Sequence, residues 1–97
     1  MLTGKQKRYL RSLAVNEKAA FQVGKDGLSY NLYNSLNEFL DVHELVKISI
    51  LKSYPNDIRE AALDLCANTN SELVQTIGRV IVLYRATKEK VIDLPNA

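Results

Sequence analysis

Tryptophan is absent from this 97-residue chain, and cysteine, histidine and methionine each occur once. A single cysteine, Cys66, excludes an intrachain disulfide framework and fits a reducing compartment. With no base or partner cysteine to activate it, Cys66 reads as a small apolar filler. The one histidine, His43, has no cysteine or carboxylate at ligand spacing, so it reads as structural and no metal is expected. The chain also lacks a Ser/His/Asp or Cys/His arrangement and a phosphate loop ending in Gly-Lys-Ser/Thr. These absences argue against an enzyme and against a cofactor. No apolar run approaches the roughly 20 residues that span a bilayer. The opening residues Met1-Leu2-Thr3-Gly4-Lys5 lack the apolar stretch of a signal peptide, and the expected location is the cytoplasm. Low-complexity segments and internal repeats are lacking too. The length suits one domain, residues 1–97, with one core.

What is present is a strong segregation of charge. Residues 1–25 carry six Lys/Arg and one acid, for +5; residues 26–72 carry three bases and eight acids, for −5; residues 73–97 carry four bases and two acids, for +2. The sum is the formal net charge of +2. An evenly solvated surface mixes its signs, so this asymmetry points to a polyanionic partner.

The pattern predicts seven elements. A first helix begins at Thr3, with Gln6 completing a capping box, and runs to about Val15. Leu2, Tyr9, Leu10, Leu13 and Ala14 share one arc, and Lys5, Lys7, Arg8 and Arg11 the opposite one. A short strand follows at 20–23. A second helix, from about Ser29 to Val42, turns Leu32, Tyr33, Leu36, Phe39 and Leu40 inward. Residues 45–52 read as a strand with Val46, Ile48 and Ile50 on one face. A third helix, at about 57–69, buries Ile58, Ala61, Ala62, Leu65 and Cys66 and shows Asp57, Glu60 and Asp64 to solvent. Strands 73–77 and 80–85 flank Gly78-Arg79, a glycine-first pair suited to a type II′ turn. The second arm is continuously apolar and should lie inside the sheet. Residues 86–97 are expected as a loosely packed tail.

Between the first strand and the second helix stands Gly24-Lys25-Asp26-Gly27. Glycine at both ends opens dihedrals closed to other residues and removes side chains that would hold a ligand away. The helix beyond it presents free N–H groups and a positive dipole end, a setting for anions. Lys25 adds a mobile charge. Such a turn suits a clamp on a phosphodiester backbone, as in KH modules.

Helix, strand, Gly-Lys-x-Gly turn, helix, strand, helix and hairpin, in that order, resemble the YhbY-type CRM domain. Five segments carry the resemblance: Leu2-Thr-Gly-Lys-Gln-Lys-Arg-Tyr-Leu-Arg, Val23-Gly-Lys-Asp-Gly-Leu, His43-Glu-Leu-Val-Lys-Ile, Ile77-Gly-Arg and Val82-Leu-Tyr-Arg-Ala-Thr. The resemblance implies an α/β (α+β) fold of αβαβαββ topology, with three helices on a four-stranded mixed sheet. It is similar to the C-terminal domain of bacterial translation initiation factor three. It further implies a non-catalytic RNA-binding module, expected as a monomer, acting in bacteria on ribosomal RNA in large-subunit precursors and in plant organelles on introns. The family's glycine-bounded loop maps onto Gly24, Lys25, Asp26 and Gly27, and its basic helix onto Lys5, Lys7, Arg8 and Arg11. Lys18, Arg79, Arg85 and Lys88 are further candidate phosphate contacts. Tyr30 and Tyr9 are candidate base-stacking side chains. Asp26 departs from a simple clamp: it either weakens phosphate contact or turns away to cap the next helix. An alternative function is a protein-interaction adaptor that docks the basic helix on an acidic partner.

Overall fold

A computed structural model describes residues 1–96. Helix α1 spans Gly4–Val15, strand β1 Phe21–Val23, helix α2 Tyr30–His43, strand β2 Leu45–Ile50, helix α3 Ile58–Thr69, strand β3 Glu72–Ile77 and strand β4 Val80–Tyr84. Each helix starts at a side-chain cap. Thr3 and Gln6 form the reciprocal capping box on α1, Ser29 accepts from the Leu32 N–H on α2, and Asp57 accepts from Arg59 on α3. These bonds satisfy N–H groups that the first helical turn leaves without partners.

The strands form one mixed sheet in the order β1-β2-β4-β3. β1 runs parallel to β2, while β2–β4 and β3–β4 are antiparallel. Strand β4 is therefore interior, as its unbroken apolar run implies. Gly78 has φ of 57° and Arg79 has no positive φ, the pattern of a glycine-first type II′ turn.

Alternation along the strands separates two apolar layers. On one face, Val46, Ile48 and Ile50 of β2, Val23 of β1, and Ile81 and Leu83 of β4 pack against Leu36 and Leu40 of α2 and Ala61, Ala62 and Leu65 of α3. On the other, Val82 and Tyr84 of β4 and Val74 of β3 meet Leu2, Leu10 and Ala14. Helix α1 thus lies alone on the face opposite α2 and α3. Val74 is the additional residue of a bulge between Leu73 and Gln75, which delivers it to the α1 side. Burial pushes the Cys66 thiol up, opposed in part by a hydrogen bond with Ser71. The result is an unreactive filler.

Two expectations are corrected. β2 ends at Ile50, two residues early, because Arg79 donates to the carbonyls of Ile50 and Leu51, and Leu51 then accepts from the Tyr54 N–H in a turn. The segment after β4 is not a loose tail. The buried Glu44 carboxylate accepts from Thr87 N, Thr87 Oγ1 and Ile92 N, each at 2.7 Å. Ile92 and Leu94 pack beneath α1, and Gln6 Nε2 donates to the Pro95 carbonyl at 3.0 Å. The last residue of that segment, Ala97, lies outside the described residues.

Candidate nucleic-acid interface

Gly24-Lys25-Asp26-Gly27 closes on itself through a 3.1 Å hydrogen bond from the Gly27 N–H to the Gly24 carbonyl. Neither central residue has positive φ, so the turn is of type I. Its two glycines serve different ends. Gly27 has φ of 70°, a left-handed backbone that L side chains resist. Gly24 is needed for close approach: a Cβ there would meet Ser53 Oγ at 3.1 Å and Leu51 Cδ1 at 3.5 Å. Among the described residues, nothing accepts from the N–H groups of Lys25 or Asp26. Both side chains are exposed. The cap of α2 is Ser29, so the capping role considered for Asp26 is corrected. Beyond the cap, Tyr30 is 79 % exposed and offers a ring beside the turn.

The sheet brings two more cations to this end. Ile50 donates to the Arg79 carbonyl, and Leu51 donates to the Val23 carbonyl. The β3–β4 turn, the end of β2 and the glycine turn therefore sit side by side. Arg79 uses Nε and Nη2 on the Ile50 and Leu51 carbonyls, at 2.8 and 2.6 Å. These bonds fix the guanidinium without consuming its Nη1 donors. Lys52, exposed in the β2–α3 loop, joins the same end, and sequence reasoning missed it. A signal existed: ligands of open α/β sheets gather beyond the carboxyl ends of parallel strands, here β1 and β2.

The remaining candidates separate. On α1, Lys5 and Arg8 are exposed, Lys7 and Arg11 half-buried, and Tyr9 is 38 % exposed. Lys18 is exposed in the α1–β1 connection. Lys88 is exposed but follows Thr87, which Glu44 holds at the start of β2. The length of β2 puts that end about 17 Å from the glycine turn. Lys88 does not join the loop site. Arg85 is corrected as a phosphate contact. It donates from Nη1 to Asn37 Oδ1 and the Thr69 carbonyl, and from Nη2 to the Asn37 carbonyl and Asp41 Oδ1. Its side chain is 19 % exposed; it ties α2 to the end of α3. Lys47, likewise, donates to the Ala14 and Glu17 carbonyls, where a cation complements the negative end of α1.

This geometry describes a class: a small α+β domain that gathers a glycine-bounded turn, a helix N-terminus and several cations at one end of its sheet. The CRS1 / YhbY (CRM) domain model matches residues 2–85, and the chain belongs to that family. Over 96 residues it is 48 % identical to the Probable RNA-binding protein YqeI of Bacillus subtilis, covering 98 % of this chain and all of that one. It is 31 % identical over 95 residues to an RNA-binding protein of Haemophilus influenzae, covering 98 % and 96 % of the two chains. The solution structure of the hypothetical protein SAV1595 from Staphylococcus aureus aligns with a TM-score of 0.82 at 49 % identity, covering 98 % of this chain and 100 % of that one.

Replacing Lys5 and Arg8 together by glutamate is expected to leave stability within about 0.5 kcal/mol, as exposed substitutions usually do. Binding to a polyanion should weaken severalfold. A large fall in melting temperature would instead show that this face of α1 is packed.

Proposed function

We propose that the protein binds RNA without catalysis and acts, as a monomer in the cytoplasm, on ribosomal RNA in precursors of the large ribosomal subunit. The observation that carries the reading is the convergence of the Lys25 and Asp26 N–H groups, the α2 N-terminus, Lys25, Lys52 and Arg79 at one end of the sheet. Backbone N–H groups and cations take phosphate oxygens and position a strand without reading its sequence. Tyr30 supplies a face on which a base stacks. The names carried by the relatives from B. subtilis and H. influenzae support RNA as the partner.

Binding of this kind releases condensed counterions. With about four phosphate contacts, the slope of log K against log salt is expected at roughly −3 to −4. A slope near zero in a fluorescence titration of single-stranded RNA would remove the electrostatic basis. Crosslinking in cells, followed by sequencing of the bound RNA, tests the ribosomal target.

A further inference from the structure

Helix α1 does not cover its whole face of the sheet. Leu10 and Ala14 lie over Val74, Val82 and Tyr84. Toward the β3–β4 turn, a groove of ≈ 290 Å³ stays open between the last turns of α1 and the hairpin. Its aliphatic lining comes from Ala14 and Val15 of α1, from Val80 and Val82 of β4, and from Ile77 of β3, which is 61 % exposed. Gln75 and Arg11 supply its polar groups. Among the described residues, Arg11 has neither a side-chain hydrogen bond nor an ion pair. Among the described residues no carboxylate lines the groove, and its other cation, Lys47, is held by the carbonyls at the end of α1.

We infer that this groove binds one unpaired nucleotide of RNA, its base against Val80 and Ile77, its edge on the Gln75 amide and its phosphate on Arg11. The inference rests on the RNA reading above and adds a second subsite, on the α1 face of the sheet. Three observations select this occupant. The cationic rim without a counter-charge complements an anionic ligand. The volume lies just under the range of small-molecule pockets and cannot admit a peptide helix about 10 Å across. The groove also lies next to the loop end: its lining residues Ile77 and Val80 flank the Gly78-Arg79 turn, and Arg79 is bonded to the end of β2 beside Gly24. Three strand spacings, about 14 Å in all, separate β1 from β3, so a single strand can leave the glycine turn, pass Arg79 and enter the groove.

The test is a methyl and amide NMR titration with single-stranded uridine and adenosine octamers. Ring-current shifts are expected at the Ile77 and Val80 methyls, together with shifts at the Lys25 and Asp26 amides. Gln75→Phe should fill the groove, abolish the methyl shifts and weaken binding about tenfold, the equivalent of 1.4 kcal/mol, while the loop amides still respond. Should that variant misfold, Arg11→Gln removes the phosphate contact from a half-buried position and is expected to act in the same direction. Loop shifts without methyl shifts, or parental affinity in a folded Gln75→Phe, would overturn the subsite and leave the RNA reading standing. Silence at both places would overturn both. Methyl shifts with silent loop amides would keep the groove and displace the loop.

Discussion

Replacing Glu44 by glutamine is expected to destabilise the domain by about 2–4 kcal/mol, although Glu44 lies far from the glycine turn. Its carboxylate is fully buried and satisfies three donors, two from Thr87 and one from Ile92. Hydrogen bonds to a charged group contribute roughly 1.5–3 kcal/mol each, and a buried donor left unpaired costs about 1–3 kcal/mol. Glutamine fills the same space but has one acceptor oxygen. In either amide orientation its NH₂ opposes a backbone N–H, that of Thr87 or that of Ile92. For a domain of this size, such a loss lowers Tm by about 10 °C or more. Glu44 also holds φ of 66°, so Glu44→Gly would relieve backbone strain and is expected to destabilise less than Glu44→Ala.

Acidity gives a second readout of the same group. Burial works to raise the Glu44 pKa, but hydrogen bonds from the Thr87 side chain and from the Ile92, Thr87 and Val91 backbone outweigh it, and the carboxyl titrates below its usual range. The folded pKa is therefore lower than the unfolded value of about 4.3. The contribution is fully present above about pH 4.3 and is lost as pH falls through the folded pKa. Thermal melts between pH 7 and pH 3 should converge for the parent and Glu44→Gln. A gap that persists unchanged at pH 3 would show that ionisation of Glu44 contributes nothing.

The largest effect on binding is expected from Gly24→Asp combined with Gly27→Asp. Two carboxylates would then stand where the proposed site meets phosphate, and like charges so placed cost several kcal/mol. Affinity for single-stranded RNA should fall about a hundredfold or more. Part of the change falls on folding, for reasons particular to each position. At Gly27 the left-handed backbone makes any L residue cost about 1–2 kcal/mol. At Gly24 the new Cβ would stand 3.1 Å from Ser53 Oγ, so that side chain has to give way slightly. Circular dichroism must confirm folding first. Lys25→Glu is the control, because it reverses one exposed charge without touching either backbone requirement. If the folded double variant and Lys25→Glu both bind like the parent, the turn only connects β1 to α2, and recognition belongs to α1 and its neighbours.

The sequence by itself determined the elements, because each is encoded locally. Thr3 and Gln6 cap α1 from three residues apart. Alternation of Val46, Ile48 and Ile50 declares a strand with one buried face. Two glycines around Lys25-Asp26 declare a turn, and one of them does hold positive φ. What lies opposite each face depends on strand order and was decided only by the tertiary structure. β4 pairs with β2, and this sets the Arg79 turn beside Gly24. Chain position likewise assigned Arg85, Lys88 and Arg79 equally to the partner. The fold surrounded Arg85 with acceptors from α2 and α3, carried Lys88 to the far end, and left Arg79 at the loop. Glu44 shows the same limit, since its donors lie more than 40 residues along the chain. A sequence states which residues carry charge; desolvation and the acceptors within reach decide which of those charges remain free to bind, and both are properties of the packed molecule.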